Sequence, residues 1–248
     1  NSPPIYLGPI RVRLALAQSK NVIAVRLLQE VGLSKIIDHL ANFGFAPNEL
    51  PKNDSLALGS ASLTPLDVAT GYATFANGGF LIKPFLIERI EDSFGKTLFT
   101  ENPQIACEEC EDRIQQNSSQ LTAQTPAEQP DNSVYDTVKI NKAERVISPQ
   151  NAFLTTQAMN SVIWGADWRF KPYWQGTGFR ARDLDRRDIA GKTGTTNDAK
   201  DAWFSGFSRR LVTTTWISFD NPGRELGRTT SNSNLGKKQI KGAEAGAK

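Results

Sequence analysis

The sequence has 248 residues, of which 39% are hydrophobic and 22% charged, which is the composition of an ordinary globular domain. Its formal net charge of +3 is too small to indicate nucleic-acid binding, and no stretch has the length of a transmembrane helix. Arginines cluster between residues 180 and 187, but acids alternate with them, which is typical of a solvated mixed-charge loop.

The first part of the chain is predicted to be helical. Apolar positions recur at helical spacing over residues 11–31, with one polar interruption, and the second part of this stretch predicts a helix over 22–31. Ser34 is expected to cap the next helix, which Gly44 closes. The sole histidine, His39, lies between the apolar positions of this helix, so we interpret it as structural rather than catalytic.

A helix and a β-hairpin are predicted next. Thr64 can cap a helix, and Asp67 occupies the position of a capping-box acid. The Asn-Gly-Gly segment at 77–79 is a fitting end for this helix. Residues 80–90 are predicted to form a strand, and residues 92–96 a turn into a short return strand.

Residues 107–147 are predicted to form a polar insertion that cannot bury a core and is in part disordered. Near its start lie the only two cysteines, Cys107 and Cys110. A zinc site would need two more ligands, and a thioredoxin-like motif would need a strand before it and a helix after it. We therefore predict no metal site and favour a local disulfide in an oxidising compartment, with reduced surface thiols as the alternative.

The last part of the chain is predicted to contain a helix over 149–164 and a sheet. The strand candidates are Asp188–Thr195, Ala202–Phe207 and Leu211–Phe219. Short turns join them, which favours antiparallel pairing. Helices followed by an antiparallel sheet indicate the α+β class.

The candidates for chemistry lie in two short motifs. A single histidine makes a Ser-His-Asp apparatus improbable, and there is no H-E-x-x-H zinc motif. A nucleotide-binding P-loop is also excluded, because Arg186 stands where that loop requires a glycine. There remain an S-x-N triplet, with Ser19 and Asn21, and a K-T-G-T segment that begins at Lys192. Both belong to a histidine-free way of activating a hydroxyl group.

These motifs and their flanks resemble those of class A penicillin-binding proteins. The matching stretches are residues 1–21, 56–66, 75–79, 190–197 and 201–206. The Cys-Glu-Glu-Cys segment is most similar to the Gram-negative 1A type. The resemblance implies that residues 1–248 form a partial transpeptidase domain, with the insertion at 107–147 within it. The implied fold is that of penicillin-binding proteins and serine β-lactamases, with an antiparallel sheet flanked by helices and a helical subdomain, incomplete at both ends.

The extended K-T-G-T strand suggests how a substrate would be held. Lys192 and Thr193 point to opposite faces of the strand, whereas Thr193 and Thr195 share a face, so that two hydroxyls can meet a substrate carboxylate. Gly194 allows a substrate backbone to approach closely, and the N–H of Thr195 can donate to a developing oxyanion. The resemblance also assigns Thr196 to substrate binding.

The catalytic candidates are Ser19, Asn21 and Lys192. Ser19 would relay a proton toward the leaving amine, with the positive charge of Lys192 close to it. The amide of Asn21 would hold a substrate carbonyl.

The nucleophile of the family, the serine of S-x-x-K, should precede the S-x-N triplet, and no such match precedes Ser19. The one match, Ser93 to Lys96, lies in the predicted hairpin turn, so we interpret Ser93 as a turn residue. The nucleophile and its lysine are therefore expected upstream of Asn1, and the C-terminal helix of the family after Lys248. We expect the chain alone to be inactive.

The implied function is a serine-type D,D-transpeptidase that cross-links peptidoglycan stem peptides ending in D-Ala-D-Ala, needs no cofactor and is acylated by β-lactams. The resemblance further implies an upstream glycosyltransferase domain, a membrane anchor, a place on the periplasmic side of the inner membrane and cell-wall synthesis partners. The alternatives are a serine β-lactamase or D,D-carboxypeptidase of the same fold, or a non-catalytic fragment that binds ligand.

Overall fold

The computed structural model describes residues 8–107, 140–165, 175–221 and 223–226. The chain divides into two compact units, one of Asn1–Leu81 with Val146–Lys248 and the other of Ile82–Arg145. Helices and antiparallel sheets are both present, which confirms the predicted α+β class. Within the described residues, no helix has the length and apolarity required to cross a membrane.

The described part of the first unit contains five α-helices. They are α1 (Val12–Ala17), α2 (Asn21–Val31), α3 (Leu33–Ala41), α4 (Pro65–Ala76) and α5 (Pro149–Trp164), with short 3-10 turns at Asp54–Leu58, Phe179–Leu184 and Asn197–Ala199. The prediction for the first two helices is confirmed, since the chain breaks between α1 and α2 and α2 starts one residue before the predicted position. The predicted helix over 149–164 is also confirmed.

The first unit also contains a three-stranded antiparallel sheet. Its strands are β5 (Ala190–Thr195), β6 (Asp201–Phe207) and β7 (Val212–Ser218), in the order β5-β6-β7. All three lie within one or two residues of their predicted bounds. Since β6 is the central strand, β5 is an edge strand in the described part of this sheet.

One cluster of buried side chains fixes the helices against this sheet. It contains Met159 of α5, Ala190 of β5 and Phe207 of β6, with Leu16 of α1 and Tyr72 of α4 packed against them. The burial of such apolar surface is the main force that holds these elements together. As a result, the C-terminal end of α1 is held on the same side of the unit as β5.

The prediction for α3 was wrong at both ends. Ser34 makes no capping contact, because Gly32 (φ +97°) occupies the N-cap position and the chain re-enters a helix immediately after α2. The helix ends at Ala41, so that Gly44 lies beyond it. His39 is exposed and packs edge-on against Phe43 at a ring-centroid distance of 5.4 Å.

The predicted capping box of α4 is confirmed. The Thr64 hydroxyl accepts a hydrogen bond from the N–H of Asp67, and the Asp67 carboxylate accepts one from the N–H of Thr64. These bonds satisfy two backbone donors that the start of a helix would otherwise leave unpaired. The Thr64 hydroxyl also donates to the Asp67 carboxylate at 2.6 Å, and this bond, together with that from the Thr64 N–H, lowers the pKa of Asp67.

The predicted strand over 80–90 is wrong in its middle. Only β1 (Phe80–Leu81) and β2 (Arg89–Glu91) have strand geometry, and residues 82–88 do not. Pro84 lies in this interval and has no N–H to donate to a ladder, so it interrupts the strand.

The rest of the predicted hairpin is confirmed in the second unit. Strand β2 pairs antiparallel with β3 (Thr97–Thr100). In the turn between them, the Asp92 carboxylate accepts hydrogen bonds from the N–H groups of Phe94 and Lys96, each at 2.9 Å. Ser93 is therefore a turn residue, as predicted, and the bonds to Asp92 make this an Asx-type turn.

Most of the predicted insertion, residues 108–139, lies outside the described residues, and so does Cys110. Cys107 is disulfide-bonded, and its predicted pairing with Cys110 stays a prediction. The second unit also contains β4 (Glu144–Arg145). The insertion was predicted to bury no core, but its last residue, Ile147, is buried with Phe43 and Ala152. Ala143 of the same segment is also buried. The polar composition of the whole segment does not reveal these apolar residues near its end.

Two neighbouring glycines after α4 provide a test of packing. A Cβ on Gly79 would lie 2.2 Å from the Ile147 carbonyl oxygen, whereas a Cβ on Gly78 would meet nothing within 4 Å, and both residues have positive φ. We expect Gly79→Ala to lower the free energy of unfolding by about 3 kcal/mol or more, and Gly78→Ala by about 1–2 kcal/mol, from backbone strain alone. Urea unfolding followed by tryptophan fluorescence measures both, and equal losses would contradict the predicted clash.

Candidate active site

Ser19 lies in a strained turn that ends α1. Its φ is +52°, a left-handed conformation that residues other than glycine rarely adopt. The N–H of Ser19 donates to Leu16 O, and the N–H of Lys20 donates to Ala15 O, the pattern of a Schellman helix end with serine where glycine is usual. The helix end therefore fixes the backbone from which the Ser19 hydroxyl projects.

Lys192 of β5 reaches this hydroxyl. Its Nζ donates to Ser19 Oγ at 2.8 Å and to the carbonyl oxygen of Thr193 at 2.9 Å. The two side chains are 173 positions apart in the sequence, and their predicted convergence is confirmed. The S-x-N and K-T-G-T motifs thus form one site between the end of α1 and the edge of the sheet.

Burial lowers the pKa of the Lys192 ammonium to about 8. Desolvation penalises the charged form of an amine, so the ammonium is held less firmly than in water. At pH 7 the group is still mostly protonated, but its pKa is within reach of the working pH. A lysine in this state can keep a positive charge beside a substrate and also take part in proton exchange.

Asn21 is the first residue of α2. It is exposed, and its side-chain amide has no hydrogen-bond partner within the described part of the chain. One residue separates it from Ser19. The amide is therefore available to a ligand that approaches this helix start.

The threonines of β5 differ in their surroundings. Thr193 is 6% exposed, and its hydroxyl forms a 2.6 Å hydrogen bond with the Thr177 hydroxyl, whereas Thr195 is exposed. Sequence reasoning expected both hydroxyls to meet a ligand together. In the structure only the Thr195 hydroxyl is accessible to a ligand, because the Thr193 hydroxyl is buried and hydrogen-bonded to the Thr177 hydroxyl.

Gly194 lies opposite Trp203 in the register of β5 and β6. A Cβ at this position would come within 3.0 Å of the Trp203 Cβ, which is closer than most side chains tolerate. Glycine at position 194 therefore leaves room for the Trp203 side chain on the neighbouring strand. The close approach of a substrate backbone, which the sequence suggested for Gly194, stays a prediction.

The loop after β5 is closed by Thr196 and Asp201. The N–H of Asp201 donates to the Thr196 hydroxyl at 3.0 Å, and the N–H of Thr196 donates to the Asp201 carboxylate at 3.3 Å. The same carboxylate accepts a hydrogen bond from the Trp203 indole at 3.2 Å. Asp201 therefore holds the end of β5 and the start of β6 in register beside the site.

A family model matches most of the chain. The model described as "Penicillin binding protein transpeptidase domain" matches residues 2–221. The chain belongs to this penicillin-binding protein family.

Penicillin-binding protein 1A of two bacteria is similar to the whole chain. The protein of Vibrio cholerae is 46% identical over 250 residues, covering 100% of this chain and 28% of the relative. The protein of Escherichia coli is 45% identical over 274 residues, covering 100% of this chain and 31% of the relative. The chain thus spans less than a third of the length of these penicillin-binding proteins.

Solved structures of penicillin-binding proteins have the same fold. The crystal structure of penicillin-binding protein 1A from Haemophilus influenzae matches with a TM-score of 0.75 and 45% identity, covering 92% of this chain and 32% of that one. The D,D-transpeptidase domain from Eggerthella lenta matches with a TM-score of 0.60 and 18% identity, covering 98% of this chain and 53% of that one. At this identity the second likeness shows the fold alone, and it confirms the predicted transpeptidase fold.

Sequence reasoning missed two residues of this candidate site, Thr177 and Asp201. Thr177 stands between two glycines, at positions 176 and 178, and such a Gly-Thr-Gly triplet indicates a tightly packed backbone. Asp201 opens a strand, where an acid is uncommon. Neither signal predicts which residue Thr177 or Asp201 contacts, because these contacts depend on the tertiary fold.

Proposed function

We propose that the protein containing this chain is a D,D-transpeptidase that cross-links peptidoglycan stem peptides by serine acyl transfer and is acylated by β-lactams on the same serine. One observation carries the proposal. In a chain of the penicillin-binding protein transpeptidase family, the Lys192 ammonium of K-T-G-T lies 2.8 Å from the Ser19 hydroxyl of S-x-N. Experiments that test this proposal therefore use the full-length protein and its substrates.

The nucleophile in this proposal is a serine of a segment that precedes Asn1 in the full-length protein. Its oxygen forms a bond to the carbonyl carbon of the penultimate D-Ala, and the bond from that carbon to the nitrogen of the terminal D-Ala breaks. The proton lost by the serine reaches the leaving amine through the Ser19 hydroxyl. An amine of a second stem peptide then attacks the acyl-enzyme and regenerates the serine.

Lys192 has two roles in this scheme. Its hydrogen bond keeps the Ser19 hydroxyl oriented for the proton transfer, and its positive charge attracts the carboxylate of the terminal D-Ala. Both depend on the protonated ammonium. Because its pKa is about 8, these contributions are present below that pH and are lost as the pH rises through it.

The stem peptide is proposed to bind along the edge of β5. An extended peptide can add to an unpaired strand edge through its main chain. The N–H of Thr195 would then donate to the developing oxyanion and the Asn21 amide to a substrate carbonyl. The Thr195 hydroxyl, with Thr196 beside it, would contact the carboxylate. A carboxylate contact by Thr193 remains a prediction that requires its hydroxyl to leave Thr177.

Family membership also supports the setting of the reaction. We infer that the full-length protein carries a glycosyltransferase domain and a membrane anchor, and that this unit faces the periplasm, where it meets other cell-wall synthesis proteins. The disulfide at Cys107 is in keeping with an oxidising compartment.

A partition experiment distinguishes the transpeptidase from a carboxypeptidase or β-lactamase of the same fold. The full-length protein is incubated with a D-Ala-D-Ala stem peptide and an amine acceptor, and the products are separated by mass spectrometry. We expect release of D-Ala with the acyl group mainly on the amine. Hydrolysed stem peptide as the only product would reject transpeptidation in favour of the hydrolases.

Intact-mass measurement after exposure to penicillin tests the location of the nucleophile. We expect a penicilloyl adduct on the full-length protein and none on a chain of residues 1–248. An adduct mapped to Ser93 would contradict its assignment as a turn residue.

A further inference from the structure

Thr177 contacts both motifs of the site at once. Its N–H donates to the carbonyl oxygen of Ala17 at 3.0 Å, and its hydroxyl bonds to the Thr193 hydroxyl at 2.6 Å. Ala17 is the last residue of α1, two positions before Ser19, and Thr193 follows Lys192 in β5. One residue thus joins the two backbones that carry the Ser19–Lys192 contact.

The segment around Thr177 is held firmly by α5. The N–H of Gly178 donates to the carbonyl oxygen of Val162 at 2.9 Å, and a Cβ on Gly176 would lie 2.0 Å from that same oxygen. Val162 and Ala17 are both 0% exposed. Because the segment packs this closely on a buried helix, Thr177 has little freedom to shift with either motif.

We infer that Thr177 is a positioning residue that fixes the distance between Ser19 and Lys192 and thereby the rate of acyl transfer. The inference rests on the proposed function, since it assigns Thr177 a part in the same reaction. Thr177 acts through its neighbours, because its own hydroxyl is committed to Thr193 inside the unit.

Removing this hydroxyl has a defined consequence. The Thr193 hydroxyl is buried, so it would be left without its partner, and a buried unsatisfied group is unfavourable enough to shift the strand that carries it. A shift of β5 moves the Lys192 backbone directly. The N–H bond from Thr177 to Ala17 is independent of the side chain, so only one of the two links is cut.

The test uses β-lactam acylation of the full-length protein, with the acylation rate constant separated from the dissociation constant of the first complex. We expect Thr177→Val to lower the acylation rate constant about 10-fold, because it leaves the buried Thr193 hydroxyl unsatisfied, which costs more than the loss of an exposed hydrogen bond, with little change in the dissociation constant. Thr177→Ser keeps the hydroxyl and should stay within about threefold of the parent protein.

Thr214→Val is the matched control. The Thr214 hydroxyl bonds to the buried Ser205 hydroxyl at 3.1 Å, between β6 and β7, and Ser205 lies opposite Lys192 in the register of β5 and β6. This variant also leaves a buried hydroxyl of the sheet without its partner but keeps the Thr177–Thr193 bond, so its acylation rate constant should stay within about threefold of the parent protein. If Thr177→Val and Thr214→Val have the same effect, the role of Thr177 is merely structural and the inference is overturned.

Three further outcomes are informative. If Thr177→Val does not fold, the same acylation measurement is made on Thr177→Ala, which also lacks the hydroxyl. If neither variant folds, Thr177 serves the stability of the fold and the inference is overturned. If Lys192→Ala is impaired but Thr177→Val acylates like the parent protein, only this inference fails. If Lys192→Ala itself acylates normally, the proposed function of the site fails.

Discussion

Replacing Ser19 by alanine is expected to slow β-lactam acylation of the full-length protein by about 100-fold or more, because the variant lacks the hydroxyl that relays the proton. General acid–base groups typically contribute about 10²- to 10⁴-fold to a rate. Ser19→Gly removes the same hydroxyl and should be equally slow. The glycine variant should nevertheless be about 1 kcal/mol more stable than the alanine variant, because the backbone at this position has φ +52°.

The pair of variants separates the chemistry of Ser19 from its backbone strain. Second-order acylation rate constants and urea unfolding, measured on both proteins, give the two quantities independently. Normal acylation by either variant would remove Ser19 from the proton path. Equal stability of the two would contradict the strained left-handed conformation.

Lys192→Ala is expected to slow acylation by about 10- to 150-fold, whereas Thr195→Val should cost about fivefold. A hydrogen bond to a charged group is worth about 1.5–3 kcal/mol and a neutral one about 1 kcal/mol, which convert to these factors. The lysine variant loses the orientation of Ser19 and the charge near the substrate carboxylate. The threonine variant loses one hydroxyl contact but keeps its backbone N–H for the oxyanion.

The two changes should also differ in kind. We expect Thr195→Val mainly to weaken the first, noncovalent complex with carboxylate-bearing β-lactams, and Lys192→Ala mainly to slow the chemical step. Stopped-flow acylation over a range of β-lactam concentrations separates these terms. If Lys192→Ala acylates as fast as the parent protein, the K-T-G-T segment has no catalytic role here.

Local structure was largely predictable, because its determinants lie within a few residues of one another. Thr64 and Asp67 specify a capping box that the structure confirms bond for bond. The turn at Asp92 and the three strands of the sheet follow from equally local patterns. The Ser19–Lys192 contact is different, since no periodicity joins positions 173 residues apart. It was predicted from the order and flanks of two motifs.

The missed features depend on tertiary packing. The burial of Thr193 requires Thr177 to be placed against it, and the positive φ of Ser19 requires α1 to end where it does. The sequence around Ser34 fits a helix cap, but Gly32 starts the helix first. In each case a residue with several acceptable local conformations takes the one that its neighbours in space allow.

A double-mutant cycle on Ser19 and Lys192 tests the central claim most directly, because that claim is that the two side chains act as one unit. The acylation rate constant of the full-length protein is measured for Ser19→Ala, Lys192→Ala and the double variant. We expect the double variant to be no more than about threefold slower than the slower single variant, as for residues that share one catalytic step. Losses that multiply, to roughly 1,000-fold or more for the pair, would show two independent contributions and would contradict the account.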